Sequence, residues 1–299
     1  IFNSFSFTSS MKHIVVEGGL RIDRYCSRYI SELTSLKRAK KWVKQGNILL
    51  EGTQVETSRF VRKGDCLTII FPTQMPEFWK KEIEVLYEDE FLAVVYKPPG
   101  VPVSGNRFKT LRNALPSNVK GSSEPDRLSR PEPVHRLDRK TQGLVLVAKT
   151  NHSRHLLGQM FQERNIEKEY QCLCLGTMEN GESQEMIGGK SAHTIWQVLS
   201  VQKSHFTGSI SHLKVQIHTG RQHQIRKHLF WKEHPILGDN LYCFDHSLRS
   251  KGLYLFATRL RFLHPMTSQV VDIFMDIPDK LQKRILLEQR MVEDASRNC

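Results

Sequence analysis

The chain contains 299 residues, of which 39% are hydrophobic, and this composition excludes a chain that is disordered throughout. Its 44 lysines and arginines against 31 acidic residues give a net charge of +13, which favours a polyanionic partner, with a merely soluble basic protein as the alternative. No apolar run approaches the roughly 18 residues of a membrane span. No long basic helix with a bulky apolar face is evident either, so nucleic acid is favoured over a membrane.

Cysteine and histidine usage predicts no metal site. The six cysteines form no C-x-x-C pair, and the 13 histidines form no H-x-x-x-H pattern. Cys172 and Cys174 alternate within a predicted strand, so both side chains point to one face and fit a core better than a zinc site. We therefore expect a chain without metal in the reducing cytoplasm.

A proline-bearing stretch separates two predicted domains, as the length also suggests. The opening residues lack the pattern of a secretory signal, and Met11 is a candidate start. The predicted boundaries are an N-terminal extension at 1–18, a small basic domain at 19–73, a linker at 74–82, a main domain at 83–285 and a C-terminal tail at 286–299.

Residues 35–46 of the basic domain predict a helix, because Ala39, Trp42 and Val43 recur at helical spacing and Gly46 ends the pattern. This segment carries no acid, and its five cations favour a phosphate-binding surface, although a solvated helix face is the usual alternative. The cations are Lys37, Arg38, Lys40, Lys41 and Lys44.

The main domain predicts many short strands and few helices. Turns rather than helices often separate the strands, which favours an α+β fold with a largely antiparallel sheet over a doubly wound one. Residues 117–133 are polar and proline-bearing and predict a loop. The predicted strands are 92–97, 144–149, 169–175 and 212–218, and the predicted helices are 153–164 and 222–232.

Residues 135–149 (HRLDRKTQGLVLVAK) place a carboxylate, Asp138, among three cations just before an apolar strand. Arg136, Arg139 and Lys140 favour the ionised carboxylate, which is the form that a nucleophile requires. A loop that leads into a rigid strand is also typical of functional groups. From spacing alone, however, an ordinary salt-bridged surface aspartate is the more frequent outcome.

Residues 218–229 (HTGRQHQIRKHL) predict a turn followed by a helix. Gln222 and Arg226 are four residues apart and share a helix face, while Ile225 and Leu229 lie on an adjacent stripe. Arg226 could therefore reach inward while the two apolar side chains pack. A basic surface helix is the alternative, and this segment alone does not exclude it.

Together, these two segments resemble the motifs of the RluA family of RNA pseudouridine synthases. Three further motifs occur in the family's order, at residues 86–105, 161–176 and 234–242. The resemblance covers roughly residues 83–275 and implies the pseudouridine synthase fold, an α+β structure with a largely antiparallel mixed sheet, flanking helices and a central RNA-binding cleft. It implies an isomerase that needs no cofactor.

The basic domain resembles the small α/β S4-type RNA-binding domain that many family members carry at this place. The pattern comprises residues 21–23 (RID), the basic helix, residues 50–52 (LEG) and residues 61–65 with their Gly-Asp turn. Cys26 stands near a position where that pattern often has leucine. The resemblance implies that this domain binds RNA.

The family resemblance implies a role for each site residue. Asp138 attacks the ribose C1′ or otherwise promotes the departure of uracil, and Arg226 pairs with it. Tyr170 stacks on the flipped uracil and assists removal of the C5 proton, and Ile225 packs against the base. Arg136 enters the RNA near the vacated position. From strand alternation alone, a core aromatic is the favoured interpretation of Tyr170.

Four positions depart from the family pattern: Tyr96, Gln142, Gln222 and Phe256 stand where asparagine, serine, threonine and histidine are commoner. These departures leave the RNA target open. The expected function is uridine isomerisation in structured RNA, either ribosomal or transfer RNA, by a monomer. The rival hypothesis is a non-catalytic RNA-binding or ribosome-assembly factor.

Overall fold

The computed structural model describes residues 10–30, 33, 35–71, 78–204, 207–243 and 252–297. The chain forms two compact units, Ile1–Glu77 and Phe78–Cys299. Each has its own hydrophobic core, and each is described by itself.

The first unit is a four-stranded antiparallel sheet with two helices. The predicted basic helix is confirmed as α2, which begins where the Ser35 hydroxyl accepts a hydrogen bond from the Arg38 backbone N–H, at 3.3 Å. Strand β1 lies within the predicted N-terminal extension and pairs with β4, so these residues belong to the sheet. In chain order the elements are β1 (Ser10–Ile14), α1 (Ile22–Tyr29), α2 (Leu36–Lys44), β2 (Ile48–Leu50), β3 (Thr53–Gln54) and β4 (Cys66–Ile70), with sheet order β1-β4-β2-β3.

The second unit is built on one large mixed sheet. Its elements are β5 (Val85–Glu88), β6 (Leu92–Lys97), α3 (Leu111–Ala114) with a 3-10 turn (Leu115–Ser117), β7 (Arg127–Pro133), β8 (Gln142–Thr150), α4 (Asn151–Glu163), β9 (Glu167–Leu175), β10 (Gly181–Ser183), β11 (Thr194–Ser204), β12 (Gly208–Ile217), α5 (Gln224–Trp231), β13 (Leu255–Leu263), β14 (Val270–Phe274) and α6 (Asp279–Arg297).

The strands of the second unit follow the order β10-β11-β12-β9-β13-β8-β6-β5, with β14 beside β13 and β7 beside β8. The pairings are antiparallel except that of β8 with β13, so the largely antiparallel prediction is confirmed for the described residues. At the parallel contact Gly143 has φ +120°, and a Cβ there would lie 2.1 Å from the Ala257 carbonyl oxygen. The two backbones can meet at this distance only because residue 143 is glycine.

Alternate residues of the central strands enter two different cores. Leu92 and Val94 of β6 pack in one cluster, while Ala93 and Val95 pack in the other. Helix α4 covers the first face, and its start is fixed by a capping box between Thr150 and Ser153. Helices α3, α5 and α6 contribute to the second face, which is also the face of the candidate site.

Two segments differ from the sequence prediction. Residues 127–133, predicted as part of a loop, form β7, which pairs with β8 alone among the described strands. Its prolines fit because an edge strand leaves one side without ladder hydrogen bonds. Helix α6 runs without a break across residue 285, where the sequence predicts the start of a tail, and Leu281 and Glu288 are buried on it.

Candidate active site

A cavity of about 580 Å³ opens on the second face of the large sheet. Its walls come from the loop between β7 and β8, the end of α4, strand β9 and the turn from β12 into α5. The predicted residues Arg136, Asp138, Tyr170, Ile225 and Arg226 all line it. Segments that lie far apart in the sequence therefore meet at one place.

Arg226 joins two carboxylates at the base of the cavity. Its Nη1 donates to Asp138 Oδ2 at 3.0 Å, and its Nε and Nη2 donate to the two oxygens of Asp239 at 2.7 and 2.8 Å. Arg226 is 3% exposed and Asp239 is 1% exposed. Burial alone would lower the pKa of Arg226, but hydrogen bonds and charge from Asp239 and Asp138 outweigh it and raise that pKa. Arg226 is therefore a permanent cation beside Asp138.

His223 approaches Asp138 from the start of α5. It adopts φ +57°, and its Nε2 lies 3.8 Å from Asp138 Oδ2, while its Nδ1 shares a 3.0 Å hydrogen bond with the Tyr242 hydroxyl. The Arg226 guanidinium lies 5.1 Å from the centroid of the Tyr242 ring. Burial lowers the pKa of His223, although the charge of Asp138 opposes the shift. A neutral imidazole thus stands beside the carboxylate near neutral pH.

Tyr170 is buried on β9 and contributes to the cavity wall. Burial raises its pKa, and the negative charge of Asp138 raises it further. The phenol therefore keeps its proton at neutral pH, which suits stacking on a base or donation of a hydrogen bond. The raised pKa argues against a phenolate at this position acting as a base.

The remaining predicted residues divide into an apolar wall and a polar rim. Ile225 is buried beside Leu137 and Leu255, whereas Arg136 is exposed at the cavity. Helix α5 begins at Gln224, two residues after its predicted start, because His223 takes a left-handed conformation. This break is what directs His223 towards Asp138.

Gln224 holds the turn that precedes α5. Its Oε1 accepts from Thr219 Oγ1 at 2.6 Å and from the Arg221 backbone N–H at 3.0 Å. Its Nε2 donates to the His193 carbonyl at 2.9 Å and to Thr194 Oγ1 at 3.0 Å. A fully bonded buried amide fixes the turn against β11 and so fixes the rim of the cavity.

Three of the positions that depart from the family pattern meet one another. The Tyr96 hydroxyl donates to Gln142 Oε1 at 2.7 Å, and Phe256 lies opposite Gln142 in the parallel register. Gln142 and Phe256 are buried, and Gln142 Nε2 has no hydrogen-bond partner among the described residues. The larger side chains therefore fill a common space next to the loop of Asp138.

The five cations of α2 belong to the first unit and do not line this cavity. All five are exposed. The sequence also gives no role to three residues of the site, namely Asp239, His223 and Tyr242. Asp239 was detectable in principle, because a buried arginine requires full pairing and residues 234–242 form one of the motifs.

Two kinds of feature are absent from the described part of the chain. No group of three or more histidine, cysteine or acidic side chains is placed to hold a metal ion there. No helix within the described ranges is long and apolar enough to cross a membrane.

The comparisons with known proteins agree on one family. A family model for RNA pseudouridylate synthase matches residues 91–231. An uncharacterized RNA pseudouridine synthase of Aquifex aeolicus (strain VF5) is 34% identical over 290 residues, which span 87% of this chain and 90% of that protein. The ribosomal large subunit pseudouridine synthase D of Vibrio cholerae serotype O1 is 28% identical over 316 residues, 94% of each chain.

Solved structures show the same fold at lower identity. Human RNA pseudouridylate synthase domain containing 4 matches with a TM-score of 0.55 and 23% identity, covering 69% of this chain and 93% of that one. Human RNA pseudouridylate synthase domain containing 1 matches with a TM-score of 0.53 and 22% identity, covering 69% and 86%. The chain belongs to the RNA pseudouridine synthase family. It is an isomerase that converts uridine to pseudouridine in RNA.

Proposed function

We propose that this enzyme isomerises uridine in ribosomal RNA, with transfer RNA as the second candidate substrate, and that Asp138 is its catalytic carboxylate. The observation that carries the proposal is the bond from the buried Arg226 to Asp138 inside a cavity of about 580 Å³. The ribosomal substrate is supported by the names of relatives such as the Vibrio cholerae enzyme.

Asp138 would attack the ribose C1′ or otherwise promote departure of uracil. The C1′–N1 bond breaks, the detached base turns, and C5 forms a new bond to C1′; where Asp138 has bonded to C1′, that bond breaks in this step and the carboxylate is released. The proton on C5 is then lost, and N1 ends up protonated, so atoms and charge balance without any redox partner. Arg226 supports this chemistry because its fixed charge lies next to Asp138 and its hydrogen bond holds that carboxylate in one orientation.

A uridine inside a helix cannot present C1′ and C5 to one cavity, so the nucleotide must be flipped out. Unstacking costs a few kcal/mol, and a target in a loop or bulge reduces that cost. Stacking on Tyr170 would recover roughly 1–3 kcal/mol. Ile225 would pack on the base, and the exposed Arg136 would enter the space that the uridine leaves.

The first unit would act as an S4-type RNA-binding domain that increases affinity for the substrate. Its support is the exposed, acid-free face of α2. Cations on one face neutralise phosphates regardless of sequence. In this proposal the RNA-binding domain includes β1 and the catalytic domain includes the whole of α6, so both extend beyond the boundaries 19–73 and 83–285 expected from the sequence. The enzyme works as a monomer in the cytoplasm.

The test is to map pseudouridine across cellular RNA from cells with the enzyme, without it, and with Asp138→Asn. We expect one or more uridines of ribosomal RNA to lose the modification in both altered cells. Asp279→Asn is the matched control, because this exposed aspartate starts α6 and does not line the cavity. An unchanged map in both altered cells would contradict the proposal.

A second role, as an RNA-binding factor in ribosome assembly, is favoured by the net charge of +13 and the exposed cations of α2. The two roles can coexist. Asp138→Asn separates them, because it removes the carboxylate and leaves the basic surfaces intact. Rescue of a growth or assembly defect by this variant would support the second role.

A further inference from the structure

Lys168 is a buried cation without an acidic partner in the wall of the cavity. It is 8% exposed, lies two residues before Tyr170 on β9, and lines the same cavity. Strand alternation puts both side chains on one face, about 7 Å apart along the chain. No hydrogen bond or ion pair joins its ammonium group to any described residue, and its Nζ lies 5.6 Å from the centroid of the Phe161 ring.

Two other basic side chains, Arg164 and His218, lie near Lys168 in the cavity lining. Burial lowers the pKa of Lys168, and the charge of Arg164 lowers it further. Lys168 and Arg164 in turn help to lower the pKa of His218, although burial and His193 act on it more strongly. Arg164 ends α4 in a left-handed conformation with φ +64°, and both Arg164 and His218 line the cavity. Lys168 and Arg164 are thus close to His218, and the carboxylate that acts on His218 is Glu182, which is bonded to His193.

The acid of the cavity does not neutralise this cluster. Among the described residues of the lining, Asp138 is the one carboxylate, and it is bonded to Arg226. An ammonium group that is partly desolvated and has no counter-ion is destabilised, and an anion that enters the cavity would offset this. Asp138 and Tyr170 mark the position of the ribose and the base, so the anion that arrives with them is a phosphate of the same chain.

We propose that Lys168, Arg164 and His218 form a subsite for a phosphate group that flanks the flipped uridine. The inference rests on the proposed function, since it takes the position of the nucleotide from Asp138 and Tyr170. Lys168 would hold the phosphate by a charge-assisted hydrogen bond, and Arg164 would reach it from the rim. The phosphate is attached to either the 5′ or the 3′ oxygen of the target uridine.

The test uses RNA hairpins that contain a mapped target uridine, with an uncharged methylphosphonate in place of the 5′ or the 3′ phosphate. We expect one of the two to bind the wild-type enzyme about tenfold more weakly than the native hairpin. Lys168→Met should weaken binding of the native hairpin by a similar factor and abolish the difference. Lys168→Arg should retain much of the affinity for the native hairpin and much of the difference between the hairpins.

Lys203→Met is the matched control, because it removes an exposed lysine from β11 that does not line the cavity. Wild-type affinity for both methylphosphonates would overturn the inference, whether or not Lys168→Met folds. Unchanged affinity but slower turnover in Lys168→Met would also overturn it. If the wild-type enzyme makes no pseudouridine in the native hairpin, the proposed substrate fails instead, and the affinities still decide the subsite.

Discussion

Asp239 binds Arg226 through two parallel hydrogen bonds, of 2.7 and 2.8 Å, and leaves the Nη1 of that arginine directed at Asp138. The orientation of the guanidinium is therefore set by a residue that does not line the cavity. Because Asp239 also offsets part of the arginine charge, it weakens the electrostatic attraction between Arg226 and Asp138. In the proposed mechanism, Asp239 therefore acts through Arg226, as a positioning residue.

Asp239→Asn should lower kcat by about tenfold or more, because Arg226 loses the paired hydrogen bonds to a carboxylate that orient it. KM should change little, because no contact with RNA is lost. Breaking a buried pair should also reduce the free energy of unfolding by roughly 3–5 kcal/mol. Steady-state kinetics and urea unfolding measure the two effects. Asp239→Glu is the comparison, and equal kcat in Asp239→Asn and wild type would contradict the role.

Tyr170→Phe should keep KM close to the wild-type value, since the ring that stacks on the base remains. Tyr170→Ala should weaken substrate binding by roughly 1–3 kcal/mol, the range of one lost stacking contact. The pH profile of the wild type should show no ionisation from Tyr170 near neutrality, because burial raises its pKa. A profile limb near pH 7 that disappears in Tyr170→Phe would contradict this assignment.

We expect the buried His212 to make the folded protein less stable in acid. Burial lowers its pKa to about 4, and the unfolded chain has the ordinary value near 6.5. Between these values the unfolded state binds more protons, so the free energy of unfolding falls as pH falls. Over the whole range between the two pKa values, the free energy of unfolding should fall by roughly 3 kcal/mol. His212→Gln should shrink the difference in thermal midpoint between pH 7 and pH 4.5, and an unchanged difference would contradict the prediction.

Replacing Lys37, Lys40 and Lys44 of α2 by glutamine should weaken RNA binding and flatten its salt dependence. Each lost phosphate contact should reduce the slope of log affinity against log salt by about 0.7–0.9. Binding measured from low to high salt gives the slope. The control replaces Lys203 and Lys283, exposed lysines of the other unit. If both variants show the same salt slope, the cations of α2 do not bind phosphates and form an ordinary solvated helix face.

Tyr96 and Gln142 should be energetically coupled, because each is the hydrogen-bond partner of the other inside the protein. Gln142→Ser should destabilise the chain by about 1–3 kcal/mol through the space it empties and the hydroxyl it leaves unpaired. Tyr96→Asn added to it should cost less than the two single changes summed, with a coupling of roughly 0.5–3 kcal/mol. Additive effects in the double-mutant cycle would contradict the pairing.

The strands and helices with regular patterns were predictable from the sequence. The strand at residues 92–97 matches β6, and the basic helix matches α2 within two residues at either end. The edge strand β7 was not predictable, because its prolines and charges are typical of a loop. Its strand geometry depends on pairing with β8. Tertiary contact, rather than local propensity, decides such a segment.

The meeting of Asp138 with Arg226 was foreseen through the family motifs, and local spacing alone favoured ordinary surface charges. His223 and Lys168 were not assigned in this way, and Asp239 was present in a motif but received no role. Their importance lies in distances across the fold, and the sequence shows neither the left-handed turn at His223 nor the missing acid beside Lys168. Burial turns these side chains from solvated charges into parts of a site.

The contact at Gly143 fixes the backbone spacing at the candidate active site. Gly143 follows the Asp138 loop by a few residues and pairs with Ala257, which in turn pairs with Tyr170. The spacing between the Asp138 loop and Tyr170 is thus set by two neighbouring backbone pairings. A methyl group at residue 143 would not fit between the backbones. In the proposed function, preference for one RNA over another would therefore arise away from this contact, at the exposed rim of the cavity where Arg136 lies.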